Sequence, residues 1–441
     1  MVTVPSCVEA RTTPTSRVIE RTYYVLLLGN TLAASLIWGI NTIFLLDAGL
    51  TNLEAFAANA FFAAGMLVFE VPTGVVADVW GRRASFLLGT VTLAVTTVMY
   101  VLLWQVEAHF VLWALVSLLL GLGFTFFSGA TEAWLVDALR ATAFEGPLES
   151  VLARGQVISG IAMLAGSVAG GYLAQVTSLG VPFVLRAVIL AAMFAVAFGL
   201  MHDIGFTAKR GGRPLSEMKR IFHSSVDQGL RVPAVRYLML AAPFTGGVAL
   251  YVFYALQPYL LDLYGNDHAY GIAGLAAAIV AGAQILGGMA ATGIRKLFRR
   301  RTSALLTAEV LSAVSLVLVG LSNSFWIVIG LVVVWGLLFA ATMPIRQAYI
   351  NDQIPSEQRA TILSFDSLMA SSGGVAAQPV LGRAADVWGY PASYVASGGL
   401  TALALPFLYR SRRQNVRADT PDVIVLPDAT TTDTALSDVA A

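Results

Sequence analysis

The sequence is poor in the residues from which soluble enzymes build their sites. Its 441 residues include a single cysteine, Cys7, and only 12% are charged. One cysteine cannot form an intramolecular disulfide, and the four histidines lie without the spacing of metal ligands at His109, His202, His223 and His268. Phosphate-binding loops and nucleophile motifs are also missing. We therefore expect no enzyme, no ATP-driven pump, and neither cofactor nor metal.

Charge of either sign is too scarce for a nucleic-acid partner. The formal net charge is +1, and Lys and Arg occur in short clusters instead of one basic stripe. Apolar residues dominate instead, since 57% of the chain is hydrophobic and the mean hydropathy is +0.75. A soluble domain does not need so much apolar surface to form its core. The composition predicts a protein that lies within a lipid bilayer.

Twelve apolar runs are long enough to cross a bilayer, which takes about 20 residues. Because lipid leaves backbone polar groups no outside partner, each run should be a helix. The prediction is an all-α membrane protein with 12 transmembrane helices, numbered spans 1 to 12, at residues 23–46, 53–77, 84–105, 109–135, 155–175, 181–202, 234–260, 270–294, 303–322, 325–347, 361–383 and 390–409.

Positive charge supports this count independently. Of the 27 Lys and Arg residues, all but Arg186 and Arg383 fall on one side of the predicted spans. By the positive-inside rule that side is cytoplasmic, which predicts a multi-pass cell-membrane protein with both termini in the cytoplasm. The predicted units are a cytoplasmic N-terminal segment, a six-helix bundle, a basic cytoplasmic linker, a second six-helix bundle and a disordered cytoplasmic tail, at 1–22, 23–202, 203–233, 234–409 and 410–441.

The turn between spans 2 and 3 carries the most specific motif. Its sequence, GVVADVWGRR, resembles the Gly-x-x-x-Asp-x-x-Gly-Arg-Arg signature of the major facilitator superfamily. The resemblance covers about residues 20 to 410 and implies two six-helix bundles rocking about a central cavity faced by spans 1, 4, 7 and 10. It also implies an inner gate in which Arg82 pairs with Asp137 in the outward-facing form; a topological stop signal is the alternative. The gate residues would be Gly74, Asp78, Gly81, Arg82, Arg83 and Asp137.

A second motif bears on the direction of transport. In span 5, AMLAGSVAGG is similar to the antiporter motif of drug/proton exporters in the same superfamily, with Ala162 and Ser167 in place of its first glycine and its proline. In span 4, Ser117 replaces the arginine of those exporters. The resemblance implies drug/proton exchange, with a motif formed by Gly166, Gly170 and Gly171.

Two carboxylates within apolar runs are candidate proton carriers. Glu70 lies in span 2 and Glu132 in span 4. A carboxylate removed from water can bind a proton on one side of the membrane and release it on the other as the cavity alternates. The alternatives are structural: Glu132 could pair with Arg346 or a loop arginine, and Glu70 could bond the backbone broken at Pro72.

Polar and aromatic residues on the presumed inward faces are candidate cavity contacts, although helix packing is the alternative for each aromatic. They are Asn30, Asn41, Asn59, Tyr251, Tyr254, Gln257, Trp335, Phe339 and Arg346. As a group they predict a mostly apolar cavity, which suits lipophilic or amphipathic molecules better than sugars or phosphates. The predicted function is proton-coupled export of such small molecules by alternating access. A proton-coupled importer of a nutrient or metabolite, and a non-transporting sensor or scaffold, are the alternatives, and nothing demands more than a monomer.

Three further features receive no functional role from the sequence. Glu309 is interpreted as reaching toward the membrane interface, and Asp366 as favoured by the start of span 11. A second copy of the letters ADVWG, at Ala385–Gly389, is interpreted as chance similarity between two helix ends.

Overall fold

The computed structural model describes residues 15–206, 232–354 and 359–420, and within them the regular structure is helical. The helices are α1 (Ser16–Trp38), α2 (Asn41–Asp47), α3 (Asn52–Trp80), α4 (Arg82–Gln105), α5 (Phe110–Thr125), α6 (Ala130–Ala141), α7 (Leu148–Val176), α8 (Gly180–Leu200), α9 (Pro233–Tyr264), α10 (Tyr270–Lys296), α11 (Arg301–Leu321), α12 (Phe325–Asn351), α13 (Arg359–Ala402) and α14 (Leu405–Arg413), followed by a 3₁₀ turn at Arg417–Asp419.

By length and composition the described residues contain ten helices that could cross a membrane, or eleven if the bent pair α1 and α2 is one span, and the break in α13 at Gly389 divides one of these into two, which gives the twelve predicted spans. α1 and α2 form span 1, bent by 48° between them, and α5 and α6 form span 4. The 44 residues of α13 would extend about 66 Å as one helix, roughly twice the hydrocarbon thickness. Gly389, with φ 80° and ψ 167°, breaks α13 into span 11 and the start of span 12, which α14 completes. α3, α4, α7 and α8 are spans 2, 3, 5 and 6, and α9 to α12 are spans 7 to 10.

At both ends of the described residues, regular structure extends past the bounds of the predicted bundles. α1 begins at Ser16, so the last residues of the segment 1–22 are helical. Residues 410–420, the start of the predicted tail, pack on the second bundle. Asp419 is buried, and its carboxylate accepts hydrogen bonds from the backbone and the hydroxyl of Thr302 at the start of span 9. Residues 1–14, most of the predicted linker (207–231) and residues 421–441 lie outside the described residues.

Two ends of the molecule differ in how the bundles meet. We call the end with the Gly81 turn the basic end, because it carries the predicted cytoplasmic Lys and Arg clusters, and the end with the Gly389 turn the opposite end. Two apolar clusters of the opposite half mix residues of both bundles: Ala269 and Ala273 join a cluster of the first bundle, and Phe56 joins one of the second. The two clusters nearer the basic end each draw, among the described residues, on one bundle alone. The bundles are therefore packed together at the opposite end.

Candidate functional site

A cavity of about 390 Å³ lies between the bundles and is lined by spans 1 to 8. Most lining residues are apolar or aromatic: Ile37, Trp38, Phe62, Met66, Tyr100, Leu120, Phe124, Met163, Leu250, Phe253, Tyr254, Ala277 and Ala281, with Asn41, Asn59, Ser167, Arg186 and Gln284 as the polar members. Of the predicted contacts, Asn41, Asn59 and Tyr254 line it. The Asn41 side-chain amide donates to the Asn59 oxygen at 2.9 Å, while the Asn59 Nδ2 is buried without a hydrogen-bond partner among the described residues. The walls offer apolar contact and few free polar groups.

Arg186 is the charged residue of this lining. From the sequence it was noted only as one of two arginines outside the predicted cytoplasmic side. It lies within span 6, and only 2% of its surface is exposed. Its guanidinium carbon lies 5.8 Å from the centre of the Phe124 ring. The signal available in the sequence was an arginine inside an apolar run, because such a residue is costly and usually functional.

Three predicted cavity residues do not line this cavity. The Gln257 amide donates to the Trp38 carbonyl at 2.7 Å, and the Gln257 oxygen accepts from the Thr42 backbone at 2.9 Å. Gln257 therefore joins the bundles beside the cavity. Tyr251 is buried in the second bundle, where its hydroxyl donates to Ser393 at 2.6 Å. Asn30, in span 1, is not among the residues that line the cavity.

The predicted residues of span 10 line a second cavity of about 40 Å³ inside the second bundle. Trp335 and Phe339 stack with ring centres 5.6 Å apart. Arg346 donates from Nε to Asp366 at 3.2 Å, bonds the same carboxylate through Nη2, and reaches the Leu238 carbonyl at 3.0 Å. These residues face the interior of their own bundle, where spans 7, 9 and 12 complete the lining of the second cavity.

The carboxylates of this region are placed differently from the sequence interpretation. Glu309, instead of reaching toward the interface, lines the second cavity together with Arg346. Asp366 pairs with Arg346 in addition to lying near the start of span 11. The second bundle thus contains a polar cluster of Glu309, Arg346 and Asp366 within the membrane span.

A carboxylate fastens the two bundles together at the opposite end. Asp386 accepts hydrogen bonds from the backbone N–H groups of Asn52 and Leu53, each at 2.9 Å, and the Tyr390 hydroxyl donates to the Asn52 side chain. The first N–H groups of a helix lack internal partners and attract anions, so Asp386 stabilises the start of span 2. We call Asp386, Asn52, Leu53 and Tyr390 the outer clamp.

The two ADVWG copies occupy equivalent helix ends. Gly81 has φ 104° and Gly389 has φ 80°, and each positive φ lets a new helix follow at once. Asp78 and Asp386 hold the same place within the two copies. Asp386 in the second copy therefore has a structural role that the interpretation as chance similarity did not assign to it.

The glycines of the span 5 motif lie at close helix contacts. A Cβ added at Gly166 would lie 1.9 Å from the Ser35 hydroxyl, and one at Gly170 would lie 1.8 Å from the Leu36 carbonyl of span 1. At Gly171 it would lie 2.6 Å from the Tyr270 carbonyl of span 8. Small residues let membrane helices approach closely, so this motif packs span 5 against both bundles.

The predicted inner gate is organised around Gly81 at the basic end. Arg82 pairs with Asp78 at 2.7 Å, not with Asp137. Arg83 donates its backbone N–H to Asp203 at 2.9 Å, and its guanidinium lies 4.9 Å from the Phe198 ring centre. Asp203 follows span 6 and was not singled out in the sequence, since nothing local relates it to a turn 120 residues earlier. Gly74, in contrast to Gly81, faces open space.

The candidate proton carriers are both exposed in this conformation. The Ser128 hydroxyl donates to the Glu70 carboxylate at 2.6 Å, at the break between α5 and α6. Glu132 lies in the first turn of α6. The structure thus brings Glu70 to span 4, while its alternative role at the Pro72 backbone is taken by the Thr73 hydroxyl, which bonds the Phe69 and Glu70 carbonyls.

Hydrogen bonds between the bundles occur, among the described residues, only in the opposite half of the molecule. They comprise the outer clamp, the Gln257 contacts and a bond from the Gly271 backbone to Gln175. A central cavity between two bundles that are fastened at one end is the arrangement of a multi-pass membrane transporter, a class distinct from enzymes.

The chain belongs to the Major Facilitator Superfamily, whose model matches residues 23–298 and 269–425. Solved structures show the same fold. A bacterial homolog of the human lysosomal transporter Spinster, inward-facing and unoccupied, superposes with a TM-score of 0.68 at 16% identity, covering 93% of this chain and 99% of that one. The nucleoside transporter NupG superposes with a TM-score of 0.70 at 12% identity, covering 89% and 98%, and a NupG variant does so with 0.71 at 12%, covering 89% and 99%. No curated protein sequence matches the chain.

Proposed function

We propose that this protein is a secondary active transporter that exports lipophilic or amphipathic small molecules from the cell in exchange for protons. The observation that carries the proposal is the largely apolar cavity of about 390 Å³ between bundles that are fastened together at the opposite end. A volume of this size suits a small organic molecule. With the basic end in the cytoplasm, the cavity loads from the cytoplasm in the conformation described here.

The cavity walls favour an apolar substrate body. Aromatic and aliphatic side chains from seven spans would contact it, while Asn41 and Asn59 already bond each other. A sugar would leave many hydroxyl groups without partners on such a surface, which is unfavourable. The similarity of the span 5 motif to that of drug/proton exporters also favours export, with the substrate entering from the inner leaflet or the cytoplasm.

Proton coupling is assigned to Glu70, with Glu132 as a second carrier. Glu70 bonds Ser128 across spans 2 and 4, so its protonation would weaken this contact between two helices of the first bundle or reverse the direction of the hydrogen bond. Its exposure allows proton exchange from the basic end. In the outward-facing form Arg82 would leave Asp78 for Asp137, and the Arg82–Asp78 pair is the released state of that latch.

The test uses purified protein in proteoliposomes loaded with a lipophilic fluorescent dye. An acidic compartment at the opposite end should accelerate dye movement toward that compartment. Glu70→Gln should retain downhill dye movement but lose its dependence on the pH gradient. Glu107→Gln, a change at an exposed carboxylate outside the spans, is the matched control and should behave as wild type.

Unchanged coupling in Glu70→Gln would remove this residue from the mechanism, and Glu132→Gln then becomes the deciding variant. Dye that instead moves out of the acidic compartment together with protons would indicate an importer. The complete absence of flux, with the fold intact, would contradict transport itself.

A further inference from the structure

We infer that the central cavity is a binding site for an organic anion, in which Arg186 binds the charged group and the apolar walls hold the rest of the molecule. This inference rests on the proposed transport function and names its substrate class: an amphipathic molecule with one negative group, such as a carboxylate or sulfonate, on an aromatic or aliphatic body.

The position of Arg186 makes its charge exceptional. It lies six residues into span 6, about 9 Å along the helix from the end of the span, and it is 2% exposed. Its Nε and Nη2 atoms are buried and have no hydrogen-bond partner among the described residues. Buried polar groups are normally bonded, and an intramembrane arginine normally faces a partner or a water-filled cavity.

The lining of the cavity offers no countercharge. Its 18 described residues include no Asp or Glu. The hydroxyl of Tyr100, a neighbour in the lining, already forms a hydrogen bond of 2.6 Å with the Ser117 hydroxyl. The Phe124 ring covers one face of the guanidinium but cannot accept the N–H bonds at its edge in the way that an oxygen can.

Arg346 shows what a paired arginine looks like in the same protein. Its guanidinium bonds both oxygens of Asp366 and the Leu238 carbonyl. Arg346 therefore has a built-in anion in the second bundle, whereas Arg186 faces a cavity that lacks one. The contrast indicates that the partner of Arg186 comes from outside the chain.

The geometry also limits the kind of anion. A guanidinium bonds a planar or tetrahedral oxyanion through two parallel N–H groups. One such group satisfies Arg186, and a polyanion would bring further charges against Phe62, Leu120 and Phe253 without partners. A single anionic head with an apolar body fits both parts of the cavity.

Two dyes that differ by one sulfonate test this directly: anilinonaphthalene sulfonate and the neutral N-phenylnaphthylamine. Binding to the full-length protein in lipid nanodiscs is measured by energy transfer from tryptophan. Trp38 lines the cavity, so the part of the signal lost in Trp38→Phe reports binding at this site. We expect Arg186→Met to weaken binding of the sulfonate by at least about tenfold and to change binding of the neutral dye little.

Arg186→Lys keeps the charge but loses the paired N–H geometry and should fall between wild type and Arg186→Met. Arg346→Lys, a change at the arginine of the second cavity, is the matched control and should leave the affinity ratio of the two dyes unchanged. Retained binding of the neutral dye shows in the same experiment that each variant is folded.

The results separate this inference from the function on which it rests. Unchanged binding of the sulfonate in an Arg186→Met variant that still binds the neutral dye would overturn the anion site. Wild-type protein that binds only the neutral dye would overturn the anion site and leave the apolar cavity in place. Failure of the wild type to bind either dye at Trp38 would contradict the proposed transport of amphipathic molecules as well.

Discussion

Replacing Asp386 by asparagine should open the end of the molecule that the outer clamp holds closed. The Asp386 carboxylate accepts hydrogen bonds from the first two N–H groups of span 2. The third, that of Glu54, donates to the Thr51 hydroxyl. Asparagine has almost the same size but carries no charge, and only one of its side-chain heavy atoms can accept a hydrogen bond. The substitution therefore removes one bond and the attraction between the carboxylate and the helix start.

The structure sets the size of the effect. A hydrogen bond to a charged group contributes about 1.5–3 kcal/mol, and a charge at a helix end about 0.3–1 kcal/mol. Because Asp386 is exposed to solvent, we take about 1–2 kcal/mol for the loss. The equilibrium between the two conformations should then shift roughly 5- to 30-fold toward the form that is open at the opposite end.

Distances between spin labels can measure this shift. In a Cys7→Ser background, labels at Val106 and Trp326 report on the opposite end, and labels at Trp80 and Leu297 report on the basic end. All four side chains are exposed, and each pair joins the two bundles. In Asp386→Asn the first distance should lengthen in a larger fraction of molecules as the second shortens.

Glu107→Gln serves as control, since it removes an exposed carboxylate at the same end outside the outer clamp. Identical distance distributions in wild type and Asp386→Asn would refute the reasoning, because they would mean that the clamp contributes no free energy to closure. A lengthening at both ends would refute it differently, by showing loss of the fold instead of a shift between conformations.

Three further substitutions test the packing and the charged contacts. Gly170→Val should lower the unfolding temperature in detergent strongly, because even a Cβ would lie 1.8 Å from the Leu36 carbonyl; an unchanged temperature would contradict the close contact. Arg346→Met leaves Asp366 without its main partner and should destabilise the protein by about 3–5 kcal/mol, whereas the double change with Asp366→Leu should recover much of that loss in the same melting assay. Asp203→Asn should weaken the Arg83 backbone bond by about 1 kcal/mol and increase hydrogen exchange at the start of span 3; equal exchange in wild type and variant would contradict this role.

The features that the sequence predicts best depend on local pattern. Apolar runs in the sequence predict the spans, and the glycine, aspartate and arginine spacing of the Gly81 turn indicates the family whose model matches the chain. Asn41, Asn59 and Tyr254 line the cavity, as helical spacing predicts for residues on inward faces.

The remaining features depend on partners that are distant in the chain. Trp335, Phe339 and Arg346 do share one helix face, but only the packing of span 10 shows that this face lines a cavity inside the second bundle. Asp386 bonds residues more than 300 positions earlier, so its role is invisible in the local ADVWG letters. For Arg186, the sequence shows a buried charge without showing that the charge is unpaired.

The central claim is that access to one cavity alternates between the two sides of the membrane. It is tested most directly by a cysteine placed at Ser167, a buried lining residue, in a Cys7→Ser background and reacted with a membrane-impermeant thiol reagent from either side. We predict reaction from both sides, with Asp386→Asn raising the rate from the opposite end and lowering it from the basic end. Rates that rise together from both sides, or reaction from one side alone in both proteins, would contradict alternating access.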